Sequence, residues 1–273
     1  MKTKLKKNLI ILILILLGCS SETNPNNFED RFVKDIETAC LSLLLNPSDL
    51  GAVRLRGDAY SELKQNEKAV KDYSILINSG KADYTLFLKR GKALHALGQY
   101  EDALSDFDNS IVLNPKNAWG YHRKADVLSA LKKYNEALNN FSVAISLLPD
   151  DPGVYTCRGR VYRNQNQNEK ALEAFNKAIE MDQNHFYSLY KRGLFYLNHD
   201  QYQQSIDDLK LLETIDPPYL SYQYRETAFV SMAYAHFKLK EYTKAISHFI
   251  NMWKMRSCIN SLDEKIKAAE KNR

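Results

Sequence analysis

Small side chains recur in this chain at a fixed interval of 34 residues: Gly57, Gly91, Ala125, Gly159 and Gly193. Three further series keep the same interval. One is small (Ala69, Ala103, Ala137, Ala171, Ser205), one bulky (Tyr73, Phe107, Phe141, Phe175, Leu209), and one large and mostly apolar (Tyr60, Leu94, Leu128, Tyr162, Tyr196). Pro115, Pro149 and Pro217 close three of the intervals. A period held this long means one supersecondary unit stacked upon copies of itself. With only 10 Gly and 7 Pro in 273 residues, that unit is built of helices joined by short turns. Small residues are expected where the two helices of a unit approach most closely. The bulky series is expected to fill the space between neighbouring hairpins, and each Pro to end a second helix. One hairpin cannot bury its apolar stripe alone, so stacking supplies the core.

This order of small residue, Tyr, Ala, Phe and Pro resembles the tetratricopeptide family. Five units in register cover 50–83, 84–117, 118–151, 152–185 and 186–219. A sixth, 226–259, is recognisable from Ala233, Tyr242, Ala245 and Phe249, after a six-residue insertion from Leu220 to Arg225. The resemblance implies an all-α, right-handed superhelical solenoid of antiparallel helix hairpins over residues 28–273. A lone helix over 28–45 is expected to cap one end. The Ser261-Leu-Asp-Glu264 capping-box pattern opens a second cap over 261–272.

The N-terminus carries a different signal. Lys2, Lys4, Lys6 and Lys7 precede an apolar run, Leu9 to Leu17, too short to span a bilayer comfortably. Leu16-Leu17-Gly18-Cys19 resembles the bacterial lipobox, in which lipid joins the cysteine thiol and cleavage falls just before it. Residues 1–18 then read as a lipoprotein signal peptide and Cys19 as the lipidation site. Residues 19–27 read as a polar tether. Two or more acyl chains anchor stably where one is marginal. Ser20 after the cysteine implies an outer-membrane address in a diderm envelope. Losing the four leader lysines leaves 34 of the 38 bases against 33 acids, so the formal charge of +5 gives no case for a nucleic-acid partner.

A polar pair also recurs. Arg56, Arg90, Arg158 and Arg192 stand sixteen residues before Asp72, Asp106, Ala174 and Asp208. Where Lys124 replaces Arg, Asn140 replaces Asp. An Arg–Asp bridge between the two helices of one hairpin is expected, the alternative being arginines that hold an anionic ligand.

By resemblance, places 2, 5, 9 and 12 of each unit face a concave groove. They include Arg54 and Asp58; Lys92 and His95; Trp119, His122 and Asp126; Thr156, Arg160 and Arg163; Tyr187 and Tyr190; then Val230, Tyr234 and Phe237. Trp, Tyr and Arg are common interface anchors. The implied function is a membrane-tethered scaffold that docks a peptide or protein partner in this groove. The alternative is an envelope enzyme, or an enzyme accessory, with a glycan or peptidoglycan-type ligand there. No catalytic constellation, small-molecule cofactor or metal site is expected. The six histidines form no HxxxH pair, and Cys40, Cys157 and Cys258 have no paired spacing. The Lys and Asn that clamp a chaperone-tail carboxylate in some family members are replaced in the first unit by Arg54 and Asp58.

Overall fold

The computed structural model describes residues 28–80, 82–213 and 222–254, and among them every regular element is an α-helix. The segments expected to be a signal peptide (1–18), a polar tether (19–27) and a C-terminal cap (261–272), together with Cys19, Pro217 and Cys258, lie outside the described residues. The chain divides into two compact units, with the boundary in the sequence between Leu113 and Asn114. The first holds α1 (Phe28–Leu45), α2 (Leu50–Glu62), α3 (Asn66–Asn78), α4 (Tyr84–Ala96) and α5 (Tyr100–Leu113). The second holds α6 (Ala118–Ala130), α7 (Tyr134–Leu147), α8 (Pro152–Asn164), α9 (Asn168–Met181), α10 (Phe186–Asn198), α11 (Tyr202–Leu211), α12 (Tyr222–Lys238) and α13, residues 242–254. Within each unit, consecutive helices pack on one another. In the second unit each first helix also meets the next: α6 on α8, α8 on α10, α10 on α12.

Local chemistry sets the helix ends. Asp49, Asp83, Asn117 and Asp151 accept from backbone N–H groups in the first turns of α2, α4, α6 and α8. Each thereby satisfies a donor that the helix itself leaves free. At the other end of these helices, and of α10 and α12, one residue turns left-handed. These are Lys64, Gly98, Lys132, Asn166, Asp200 and Lys240, with φ between 57° and 75°. The next N–H then reaches back to a carbonyl in the last turn, as in Lys133 N to Leu128 O at 2.8 Å and Gln167 N to Tyr162 O at 2.9 Å. This closure satisfies orphan carbonyls and reverses the chain.

The small and bulky series meet inside the hairpin. A methyl group at Gly91 would lie 2.7 Å from Phe107 Cε1, and one at Gly193 would lie 2.8 Å from Leu209 Cγ. The bulky residue therefore packs over the glycine of its own hairpin. Phe175 also reaches the next hairpin, its ring 6.0 Å from that of Phe195. Among the described residues, Tyr73, Phe107, Phe141 and Phe175 are the largest fully buried side chains.

The Arg–Asp bridge forms in three hairpins. Arg56, Arg90 and Arg192 each donate from Nε at 2.8 Å and from Nη2 at 2.7 Å to the two oxygens of Asp72, Asp106 and Asp208. These aspartates are buried. Arg90 also donates to Ser74, and Arg192 to Asn176, so both arginines tie their own hairpin to the preceding one. Where Ala174 stands in for Asp, the buried Nε of Arg158 has no hydrogen-bond acceptor and its guanidinium lies 5.2 Å from the Tyr155 ring.

The insertion is read differently in space. Helix α12 begins at Tyr222, so residues from there to Arg225 add a turn before residue 226, where the sixth unit was expected to start. That turn carries Tyr224, whose ring sits 5.0 Å from Tyr190 and 5.8 Å from Phe186.

Candidate partner-binding surface

First helices carry the residues expected to face a partner, and the structure sorts them into three groups. Trp119, Tyr234 and Phe237 are open to solvent, at 42%, 46% and 56% exposure, as are Val230 and Lys92. Trp119 is nevertheless fixed. His122 stacks beneath it at 5.4 Å and the Arg123 guanidinium lies 5.5 Å from its ring. A rigid, half-exposed indole loses little entropy when covered.

Arg54, Asp58, His95, Arg160, Arg163 and Tyr187 form an intermediate group. Arg54 pairs with Asp83 at 3.5 Å. Asp58 accepts two bonds from Lys89 at 2.8 Å and one from the Tyr73 hydroxyl at 2.9 Å. The His95 ring lies 5.8 Å from Tyr100.

His122, Asp126, Thr156 and Tyr190 are buried and do not face a partner directly. Their places fall where adjacent first helices pack. Thr156 and Ser188 share a hydroxyl hydrogen bond at 2.5 Å. Asp126 accepts from Arg160 of the next first helix at 3.1 Å, and from Arg123 at 3.4 Å. Tyr190 is covered by Tyr224.

His122, Asp126 and Cys157 bring three ligand-type atoms within 4.8 Å of one another. This trio is a poor cation site. The two Asp126 oxygens already face Arg160 and Arg123. Burial, reinforced by Asp126, pushes the Cys157 thiol up to about 12, so it stays neutral. Burial also lowers the His122 pKa, against a smaller opposing pull from Asp126, and neither ring nitrogen finds a hydrogen-bond partner.

Lys191 and Tyr224 belong to the same surface and were not singled out in the sequence. Lys191 lies over the rings of Tyr187 and Tyr190 at 5.1 and 5.0 Å. Tyr187 accepts from Arg160 at 2.8 Å. Tyr224 stands in the insertion, where no repeat register assigned it a place.

Three tetratricopeptide repeat family models match residues 54–122, 107–139 and 159–200. The chain is a tetratricopeptide repeat protein. No curated protein matches the sequence. A tetratricopeptide repeat protein from Parabacteroides merdae is similar in structure, with TM-score 0.66 and 14% identity over 82% of this chain and 86% of that one. A chain of the APC/C hetero-tetramer Cut9-Hcn1 gives TM-score 0.63 and 16% identity over 83% of this chain. The protein spans only 43% of the length of that chain. A thermophilic repeat protein from Thermus thermophilus gives TM-score 0.52 and 19% identity, covering 68% of this chain and 97% of that one. At such identities the likeness is one of fold, and the surface of this repeat protein has to be read from its own residues.

Proposed function

We propose that the protein is a scaffold that docks a peptide or protein partner along its first helices, hung from a bacterial envelope membrane by lipid on Cys19. The observation that carries the docking reading is the exposure of Trp119, Tyr234 and Phe237, all on first helices. Exposed apolar side chains that form one contiguous face mark partner sites, and Val230, Tyr234 and Phe237 lie at helical spacing along α12. The glycan reading needs two available carboxylates flanking one substrate. Asp58 and Asp126 are both held by cations.

Leu16-Leu17-Gly18-Cys19 supports the tether, and Ser20 an outer-membrane address. Replacing Cys19 with Ser releases the protein into the soluble fraction. A Cys19→Ser protein that stayed with membranes would refute the lipid anchor. For docking, Trp119→Ser with Phe237→Ser keeps a cooperative thermal melt, somewhat lower than that of the wild type, and removes the partner from affinity capture out of native membranes. Undiminished capture of the same protein by this double variant contradicts the docking surface.

A further inference from the structure

In the second unit the facing surfaces of α8 and α10 collect positive charge. Arg160 and Arg163 lie one turn apart on α8, and Lys191 on α10 lies over the Tyr187 and Tyr190 rings. Arg123 adds a fourth cation from α6. One carboxylate, Asp126, is shared by Arg123 and Arg160. Among the described residues, Arg163 donates only to the side chain of neighbouring Asn164 at 3.2 Å, and Lys191 makes ring contacts without an ion pair. Cys157, also facing this cluster, is a neutral thiol. Like charges gathered in a partly dry site repel strongly. Burial, with repulsion from Arg160 and Arg163, lowers the Lys191 pKa to about 8; burial and Arg160 lower that of Arg163.

A hydroxyl donor is also available. The Tyr187 oxygen accepts from Arg160 Nη1, so its own proton is free for an acceptor. Burial holds the Tyr187 pKa at about 12, so that proton is present at neutral pH. Beside the cluster stand Tyr190, Tyr224 and Phe186, and further along α12, the helix that carries Tyr224, Val230, Tyr234 and Phe237 are exposed.

We infer that Arg160, Arg163, Lys191 and Tyr187 hold a carboxylate of the docked partner, an acidic residue followed by apolar residues that run toward α12. This rests on the docking reading and names the chemistry it selects. Two guanidinium groups, an ammonium and a phenol supply charge-assisted donors for both carboxylate oxygens. The aromatic residues beside them receive the segment that follows. Seating an anion draws a proton onto the fraction of Lys191 that is neutral near its midpoint.

The test uses the full-length chain in detergent micelles and a random heptapeptide array that includes phosphoserine. The wild type selects peptides with Asp or Glu at one fixed position at least tenfold over Asn or Gln. Arg163→Gln with Lys191→Gln melts no lower than wild type, loses the acidic preference and keeps the apolar one. For a selected peptide, calorimetry at pH 8 in two buffers of different ionisation heat shows proton uptake in the wild type and none in Lys191→Gln. Selection without an acidic preference, or an acidic preference that survives in the double variant, overturns the carboxylate site while leaving docking intact. Phosphoserine enriched above Glu reassigns the site to a phosphate-bearing partner, and absence of proton uptake removes Lys191 from it. If neither protein selects any peptide, the carboxylate site is overturned, while docking itself stands or falls on the capture experiment with the Trp119→Ser and Phe237→Ser variant.

Discussion

Arg90 on α4 and Asp106 on α5 are joined by two parallel hydrogen bonds, Nε to Oδ2 at 2.8 Å and Nη2 to Oδ1 at 2.7 Å. Asp106 is only 2% exposed, so Arg90 is the partner that offsets the cost of burying its carboxylate. Removing Arg90 alone, as Arg90→Met, leaves a buried carboxylate unpaired and costs about 3 kcal/mol or more. Replacing both, as Arg90→Met with Asp106→Leu, recovers most of that loss, because the desolvation penalty goes with the charges. Urea denaturation of the two single variants and the double variant measures the coupling. Additive losses would show that the pair is not a structural tie.

The close approach at Gly91 gives a second expectation. Alanine there has better helix propensity, yet its methyl would sit 2.7 Å from Phe107 Cε1. Overpacking of this kind costs about 1–3 kcal/mol, so Gly91→Ala destabilises. The third hairpin already carries a methyl at this place, Ala125, beside Phe141, and both are fully buried. Ala125→Gly is therefore not the mirror-image gain; it opens a gap and also destabilises. Both are read from the shift of the urea midpoint.

Lys132 has φ of 60° at the end of α6. A side chain in this region carries a backbone penalty that glycine does not. Lys132→Gly should raise stability by up to about 1 kcal/mol, as a small increase in melting temperature. Gly98→Ala, at φ 75°, should lower it by a similar amount.

The Lys191 ammonium gives a pH dependence with a definite sign. Its pKa falls from 10.5 to about 8 on folding, through burial first and then Arg160 and Arg163. Between those values the unfolded chain binds the extra proton, so this group favours the folded state increasingly as pH rises from about 8 to 10.5. Below pH 8 its destabilising contribution is fully present. Lys191→Met is therefore more stable than wild type at pH 7, and the difference shrinks by pH 10. Paired urea titrations at pH 7, 9 and 10 check this; a constant difference would count against charge repulsion at that site.

The hairpin framework was legible in the sequence because one register repeats. Arg90 and Asp106 stand sixteen residues apart on two helices that must pair, so their contact follows from the fold of one unit; Phe107, expected between neighbouring hairpins, instead packs over Gly91 of its own, a contact that the spacing alone did not assign. The left-handed turn residues gave little signal. Among these first-helix ends Gly98 and Asn166, and more weakly Asp200, are of the types this conformation favours, while Lys64, Lys132 and Lys240 are not. The N-cap series Asp49, Asp83, Asn117 and Asp151 did carry a 34-residue signal and could have been found. Burial of His122, Asp126 and Tyr190 depends on how first helices of successive hairpins pack, which a place number within one repeat does not encode. Tyr224 was out of reach for a related reason, since an insertion has no register.

The most direct measurement of the docking claim is site-specific photo-crosslinking in native membranes. A photoreactive residue is placed in turn at Trp119, Tyr234 and Phe237 on first helices, and at Val112 and Lys177 on second helices. All five positions are exposed, so reach alone does not separate them. The expected result is one discrete protein adduct shared by the first-helix positions and absent from Val112 and Lys177. Adducts from Val112 or Lys177 alone, or none from any first-helix position, would contradict the assignment of the first helices as the docking surface.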